Sequence, residues 1–131
     1  MQIVTAAVIE RNGRILIARR KKGDRMEGMW EFPGGKPEGK ESPEECLARE
    51  LREEFGIEAR IGDFLVSSPY EYPHLTIELL AFRATYVSGA FKLNDHDEIR
   101  WVLPSELLRY DLAGADVPVA EILMKGSALR K

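Results

Sequence analysis

The sequence has few of the features that would place a protein in a membrane or an oxidising compartment. It contains one cysteine, Cys46, so no intrachain disulfide can form. Its apolar runs stay well short of the roughly 20 residues that a membrane-spanning helix needs. Residues 1–9 lack the basic start and small-residue cleavage site of a secretory signal. We therefore expect a cytoplasmic protein without a membrane partner, in which Cys46 fills a small buried space.

The chain also has no excess of positively charged residues. The chain has 19 Lys and Arg against 22 Asp and Glu, for a formal net charge of −3. Because a nucleic-acid polymer normally requires a basic surface, this balance argues against such a partner and favours a small molecule. Without repeats or linkers, the 131 residues are expected to form one domain, 1–131. Whether that domain is a monomer or a homodimer stays open.

Residues 35–57 carry the strongest signal in the chain. Gly35 is followed after five residues by Glu41, and after seven more by the run Arg49-Glu50-Leu51-Arg52-Glu53-Glu54-Phe55-Gly56-Ile57. At average residue usage this pattern arises by chance about once in a billion start positions. The pattern is therefore not an accident of the amino-acid composition.

The same segment predicts a helix with defined ends. Ser42 is the expected N-cap, Pro43 takes the first helical position, and Glu45 at the third completes a capping box. Gly56 is expected to end the helix in the left-handed conformation. An apolar stripe at every fourth position faces the core and consists of Leu47, Leu51 and Phe55.

Three glutamates, Glu50, Glu53 and Glu54, fall on the helix face beside this stripe. Like charges at these spacings repel by roughly a few tenths of a kcal/mol per pair, so a positive group is expected nearby. Arg49 can orient Glu53, but one guanidinium cannot neutralise three carboxylates and Glu41 as well. A hard divalent cation such as Mg²⁺ fits better, since it takes carboxylates, waters and substrate phosphates as ligands. The alternative is a solvated acidic face.

Residues 35–57 resemble the Nudix box, and residues 31–36 before it, Glu-Phe-Pro-Gly-Gly-Lys, look like the lead-in of the MutT-type branch of that family. The resemblance implies an α/β (α+β) fold, an α-β-α sandwich with a mixed β-sheet. It also implies hydrolysis of a nucleoside diphosphate linked to another group, which for MutT-type members yields a nucleoside monophosphate and pyrophosphate.

The resemblance further implies a metal site for Mg²⁺, with Mn²⁺ as a substitute. Its ligands would be Glu50, Glu53, Glu54 and the carbonyl of Gly34. Catalytic roles are implied for Glu50, for Glu53 as a general base, and for Arg49. Bound Mg²⁺ would neutralise charge on the phosphoryl oxygens and acidify a water for attack on phosphorus.

Two further candidates lie outside the box. Glu98, in the run 94–101, resembles a distal metal ligand or base of related enzymes, although the run also reads as a solvated loop before a strand. His96 in the same run is expected at the surface, because a lone histidine is poor evidence for a metal site. Arg20, in the basic run 19–22, is expected either to contact the substrate triphosphate or to belong to a solvated loop.

Substrate choice rests on residues 112–119, which resemble the stretch where MutT-type enzymes place a base-reading side chain. Asp116 stands where the oxidised-guanine enzyme carries Asn. An ionised Asp only accepts hydrogen bonds, which suits the exocyclic amine of cytosine. This departure makes the chain look more like the CTP pyrophosphohydrolase subgroup. The alternative is that Asp116 caps the following helix, which has Pro118 in its first turn.

The sequence therefore predicts a Mg²⁺-dependent pyrophosphohydrolase that prefers CTP, dCTP or 5-substituted cytidine nucleotides. Hydrolysis of 8-oxo-dGTP is the close alternative. A nucleotide sensor with little turnover is a third reading, which the intact set of glutamates disfavours.

Periodicity and turn signals predict a mixed sheet flanked by helices. An Asn12-Gly13 turn is expected to join the first two strands. Residues 67–74 read as a loop, and its Tyr70 and Tyr72, like Trp30 and Phe32, are candidates either for stacking on a base or for ordinary packing. The predicted strands are 3–9, 14–18, 30–32, 61–67, 75–86 and 99–102, and the further helical pieces are 104–108 and 117–125.

Overall fold

A computed structural model describes the backbone of residues 1–129 and the side chains of residues 1–126. Within this part of the chain there are six strands, β1 (Gln2–Arg11), β2 (Arg14–Arg20), β3 (Trp30–Glu31), β4 (Glu58–Tyr72), β5 (Leu75–Ser88) and β6 (His96–Val102). Two α-helices, α1 (Pro43–Phe55) and α2 (Val117–Leu129), are accompanied by two 3₁₀ turns, Pro104–Arg109 and Gly114–Asp116. None of the helices in the described residues is long and apolar enough to cross a membrane.

Strand β1 is central to a mixed sheet. It pairs in parallel with β5 along most of its length and antiparallel with β2 at their shared turn. Strand β4 lies at one edge beside β5, while β2 also pairs with β3 and β6. Asn12 and Gly13 have φ of 52° and 77°, as a type I′ hairpin turn requires. The predicted mixed sheet and its first hairpin are confirmed.

The core lies in two layers because both faces of the central strands are covered. One layer packs β1 and β2 residues against α1 and the other packs them against α2 and the first 3₁₀ turn. Alternate residues of β1 therefore point to opposite helices, which explains its continuous apolar sequence. The α1 layer includes Ala7, Ile9, Leu47 and Leu51, and the α2 layer includes Ala6, Val8, Val119 and Leu123. The predicted α-β-α sandwich is confirmed.

Helix α1 has the ends that the sequence predicts. The Ser42 hydroxyl accepts a hydrogen bond from the Glu45 amide at 3.1 Å, and the Glu45 carboxylate accepts one from the Ser42 amide at 2.9 Å. Gly56 has φ of 68°, and its N–H donates to the Arg52 carbonyl at 3.0 Å. Cys46 is buried as expected, and burial raises the pKa of its thiol.

The loop predicted at residues 67–74 is wrong, because β4 continues to Tyr72. Tyr72 pairs with Leu75 across a tight turn, so β4 and β5 form one long hairpin. Pro69 obscured this strand in the sequence, but a proline is tolerated on an edge strand because its missing N–H would face away from the sheet. Strand β6 also begins earlier than predicted, at His96.

Candidate active site

An open cavity of about 690 Å³ is lined by strands of the sheet, by Glu50 and Glu54 in the second half of α1 and by the start of β6. Its lining combines two sets of residues. The first, called the acidic group here, consists of Glu50, Glu54 and Asp95. The second, called the apolar wall, consists of Val4, Phe32, Tyr72, Leu75, Ile77 and Leu79. Arg20, Glu31, Gly34, His96 and Asp116 also line the cavity.

Gly34 and Gly35 let the chain pass between β1 and α1. A Cβ on Gly34 would lie 1.9 Å from the carbonyl oxygen of Thr5, and one on Gly35 would lie 2.4 Å from the carboxyl carbon of Glu50. The Gly35 carbonyl accepts a hydrogen bond from the Thr5 amide at 2.7 Å. By contrast, no described residue donates one to the Gly34 carbonyl. Gly34 also lines the cavity, so its carbonyl is a candidate ligand there.

Arg49 connects the loop before α1 to the glutamates of the helix. Its Nε and Nη2 donate to the two carboxylate oxygens of Glu41 at 2.6 and 3.0 Å. Its Nη1 donates to Glu50 at 3.0 Å and to Glu53 at 3.2 Å, and Nη2 also donates to the Lys36 carbonyl at 3.1 Å. The hydrogen bond from Arg49 lowers the pKa of Glu41. The predicted contact between Arg49 and Glu53 is present, and Glu41 does fold back onto the helix.

The carboxylates of the acidic group are unevenly paired: Glu50 lies 3.0 Å from Arg49 and Asp95 lies 3.9 Å from Lys21, whereas Glu54 has an unpartnered oxygen. Burial raises the pKa of Glu50. Burial, followed by the hydrogen bond and the charge of Asp95, raises the pKa of Glu54 to about 7. The Oε2 atom of Glu54 is buried and has no hydrogen-bond partner. An oxygen-only donor set with an unpaired carboxylate atom fits a hard divalent cation.

No three His, Cys, Asp or Glu side chains among the described residues are already arranged around a common metal position. Glu50 and Glu53 are paired with Arg49 instead. A carboxylate can exchange an arginine partner for a metal ion, so the oxygen donors of the acidic group remain suited to a hard divalent cation. The residues that would hold the ion are Glu50, Glu54, Asp95 and the carbonyl of Gly34. When bound, such an ion offsets phosphate charge and acidifies a water.

Three predicted site residues, Arg49, Glu53 and Glu98, lie away from the cavity lining. The Glu53 side chain is 52% exposed and lies beside Arg49. Glu98 pairs with Arg100 at 2.5 Å and with Arg19 at 3.4 Å. The structure brings Asp95, from the same acidic run, to Glu54 in its place. The run was therefore recognised from sequence, but the residue within it that reaches the cavity was not. A metal or base role for Glu98 stays a prediction, which this placement does not favour.

His96 is buried, so the prediction of a surface residue was wrong. Its side chain is 2% exposed, its Nε2 lies 2.8 Å from Glu31 Oε2, and its ring stacks on Phe55 at 5.1 Å. The cause is the early start of β6, which pairs His96 with Arg20 on β2 and brings the ring to α1. Arg20 itself lines the cavity and donates to Asp24 at 2.6 Å and to Glu31 at 3.2 Å.

Asp116 lies in the cavity wall and is 5% exposed. Burial raises its pKa well above the ordinary value, the charge of Glu31 adds to this, and a hydrogen bond from the Phe32 amide opposes it. The alternative that Asp116 caps α2 stays a prediction. Beside it, the Tyr72 hydroxyl accepts a hydrogen bond from the Ala115 amide at 3.0 Å.

The fold and this site define a class of phosphoric-anhydride hydrolases, and comparison with known proteins identifies the family. The NUDIX domain model matches residues 1–122. The CTP pyrophosphohydrolase of Escherichia coli (strain K12) is 42% identical over 127 residues, which cover 97% of this chain and 94% of that protein. The 8-oxo-dGTP diphosphatase of Proteus vulgaris is 36% identical over 85 residues, or 65% of this chain and 76% of that protein.

A solved structure supports the same assignment. The crystal structure of MutT protein from Methanosarcina mazei Go1 superposes with a TM-score of 0.86 at 30% identity, covering 96% of this chain and 94% of that one. The chain therefore belongs to the Nudix family, hydrolases that act on nucleoside diphosphate derivatives. Nudix hydrolases generally need a divalent metal such as Mg²⁺.

Proposed function

We propose that the protein is a Mg²⁺-dependent nucleoside triphosphate pyrophosphohydrolase that prefers cytidine nucleotides and releases the nucleoside monophosphate and pyrophosphate. One observation carries the proposal: a single cavity is lined by both the acidic group and the apolar wall, with the carboxyl group of Asp116 buried beside that wall. A triphosphate and a base attached to it need both surfaces at once.

At the phosphate end of the site, different residues bind the metal, contact the phosphates and accept a proton. Glu50, Glu54, Asp95 and the Gly34 carbonyl would hold Mg²⁺, and the charge of the ion would offset that of the phosphates. Arg20 presents a guanidinium to phosphate oxygens, which suits its planar set of donors. Glu53 lies outside the cavity lining, but Arg49 Nη1 donates both to it and to Glu50, and we assign it the role of the base that accepts the proton of the attacking water.

The base part of the site rests on Asp116. Its carboxylate accepts a hydrogen bond from the exocyclic amine of cytosine, while the apolar wall covers the faces of the ring. Support also comes from the 42% identity with a protein named CTP pyrophosphohydrolase over nearly the whole chain. Tyr72 is the aromatic residue of this wall that we expect beside the base.

A second candidate, hydrolysis of 8-oxo-dGTP, is favoured by the state of the same carboxyl group. Because the pKa of Asp116 is raised by burial, the protonated form is stabilised. A protonated carboxyl group both donates and accepts hydrogen bonds, as an Asn side chain does, so it can also pair with an oxidised purine. Asp116→Asn separates the two: a cytidine preference predicts a loss with CTP and a smaller effect with 8-oxo-dGTP. Equal losses would assign Asp116 a structural role.

The function is tested by pyrophosphate release with Mg²⁺ from CTP, dCTP, 5-methyl-dCTP, dGTP, 8-oxo-dGTP and two dinucleotide substrates, compared by kcat/KM. The highest value with a cytidine nucleotide supports the proposal, and the highest value with 8-oxo-dGTP supports the second candidate. Glu53→Gln is the control, since it should lose turnover by orders of magnitude while remaining folded. Nucleotide binding without turnover by the unaltered protein would favour the interpretation that the protein is a nucleotide sensor.

A further inference from the structure

Three buried side-chain atoms of the described residues have no hydrogen-bond partner: Arg20 Nε, Glu54 Oε2 and His96 Nδ1. All three belong to residues that line the same cavity. The Glu54 oxygen belongs to the acidic group and has a metal as its proposed partner. The other two atoms lie in residues joined by one carboxylate, that of Glu31.

Glu31 is held at a single oxygen. Its Oε2 lies 2.8 Å from His96 Nε2 and 3.2 Å from Arg20 Nη1. Arg20 is shared with Asp24, to which its Nη2 donates at 2.6 Å. Arg20 is thus oriented by two carboxylates, while Glu31 is oriented by two donors, of which His96 is the buried one.

The contact with the Glu31 carboxylate requires a hydrogen-bond donor at the position of His96 Nε2. The Glu31 carboxylate is close enough to Asp116 for its charge to affect that buried carboxyl group. Without a second donor, Glu31 would depend on Arg20 alone, and Arg20 is also bound to Asp24. A side chain that is 2% exposed has few ways to move, so its N–H can fix the position of Glu31 with little loss of side-chain entropy.

We propose that His96 is a positioning residue that fixes the Glu31 carboxylate, and through it directs Arg20 toward the substrate phosphates. The inference rests on the proposed function, in which Arg20 contacts those phosphates. His96 does not itself touch the reacting atoms. Its loss should therefore raise KM through a misplaced Arg20 and leave kcat little changed.

The competing explanation is that His96 only fills space under α1, where its ring stacks on Phe55. Two substitutions separate the explanations because each keeps one property of the ring. His96→Phe keeps the aromatic stacking and removes the N–H donor. His96→Gln removes the stacking and keeps an amide donor near the position of Nε2.

The experiment measures kcat and KM with the best substrate of the panel for the unaltered protein, both variants, Glu31→Gln and the double variant His96→Phe/Glu31→Gln. We expect His96→Phe to lower kcat/KM by about tenfold, the size of one lost hydrogen bond to a charged group, with the change mainly in KM. His96→Gln should stay within about threefold. Glu31→Gln in the His96→Phe background should have a smaller effect than alone, because the two residues act as one unit.

Folding and the ring contact are followed independently of turnover. Thermal unfolding shows whether each variant is folded. The nitrogen NMR signals of the imidazole rings, of which the chain has two, should show a protonated Nε2 on His96 in the unaltered protein. That signal should shift in Glu31→Gln.

The reverse kinetic order, with His96→Gln impaired and His96→Phe normal, would overturn the positioning role and assign His96 to packing. Additive effects of His96→Phe and Glu31→Gln would also overturn it. Both results leave the proposed function intact. Absence of turnover by the unaltered protein on every nucleotide would instead overturn the proposed function, and with it the substrate-positioning role of His96.

Discussion

The guanidinium of Arg49 binds both carboxylate oxygens of Glu41, with Nε–Oε2 at 2.6 Å and Nη2–Oε1 at 3.0 Å. This two-point contact fixes the loop before α1 to the helix and places Arg49 against Glu50 and Glu53. Glu41 therefore orients the arginine and does not itself line the cavity. The spacing of eight residues between Glu41 and Arg49 is what allows this closure.

Arg49→Lys should damage the site although charge is preserved, because a lysine cannot make the paired contact with Glu41 and still reach Glu50 and Glu53. We expect kcat/KM to fall by about tenfold or more and the free energy of unfolding to fall by about 1–3 kcal/mol. Steady-state kinetics and urea unfolding measure the two effects. Arg52→Lys on the same helix is the matched control, since Arg52 is half exposed and lies 3.9 Å from Glu58. Equal effects of the two substitutions would contradict this account.

Local signals in the sequence were enough to predict α1 and the first hairpin. A capping box, a left-handed glycine and an Asn-Gly turn each act within a few residues, so their physical meaning does not depend on the rest of the fold. The central strands were found for a similar reason, because they are apolar on both faces. The boundaries of β4 and β6 were missed, since they are set by pairing with β5 and β2 and not by local preference.

Gly34→Ala should reduce the stability of the fold, whereas Gly35→Ala should reduce turnover. A Cβ on Gly34 would meet the Thr5 carbonyl oxygen, which is backbone of β1 and cannot move aside, so we expect a loss of about 3 kcal/mol or more in the free energy of unfolding. A Cβ on Gly35 would meet the Glu50 carboxylate, which can rotate away. Gly35→Ala should therefore fold and lose turnover.

The two glycine variants are compared by urea unfolding and by kcat/KM. Gly39→Ala is the control for backbone strain, because Gly39 has φ of +55° but a Cβ added there would have no neighbouring atom within 4 Å. It should be mildly destabilised and remain active. A stable Gly34→Ala protein, or a fully active Gly35→Ala protein, would contradict the assigned contacts.

Only part of the candidate site could be predicted from the sequence, because the pairing register of the strands decides which side chains reach the cavity. The glutamates of α1 were identified by helical spacing alone. The choice between Asp95 and Glu98 depends on a bulge in β6 at Asp97, because Arg19 pairs with Glu98 while the next residue of β2, Arg20, pairs with His96. The burial of His96 follows from the same pairing, and no pattern within residues 94–101 indicates it.

Asp95→Asn and Glu98→Gln test this placement. Asp95 contacts Glu54 in the acidic group, so we expect its amide variant to lower kcat/KM by about 10- to 100-fold, as loss of a metal ligand or its partner does. Glu98 is occupied by Arg19 and Arg100, and Glu98→Gln should change kcat/KM by less than about threefold. Activity is measured over a range of Mg²⁺ concentrations, and the Asp95 variant should need more Mg²⁺. The opposite ranking would restore Glu98 as the distal ligand.

Asp116→Asn should change how stability depends on pH. The folded-state pKa of Asp116 is raised above its unfolded value of about 4, so the stability it contributes is complete below that value and is lost as pH rises toward the folded-state pKa. Between pH 5 and 8 the unaltered protein should therefore lose up to about 1.4 kcal/mol per pH unit from this group until the group ionises. Asn does not titrate, so the variant should gain stability relative to the unaltered protein as pH rises. Urea unfolding in EDTA at several pH values measures the difference, and Asp63→Asn on the exposed surface of β4 is the control. Parallel stability curves for the unaltered protein and Asp116→Asn would show that the buried carboxyl group does not titrate with the raised pKa.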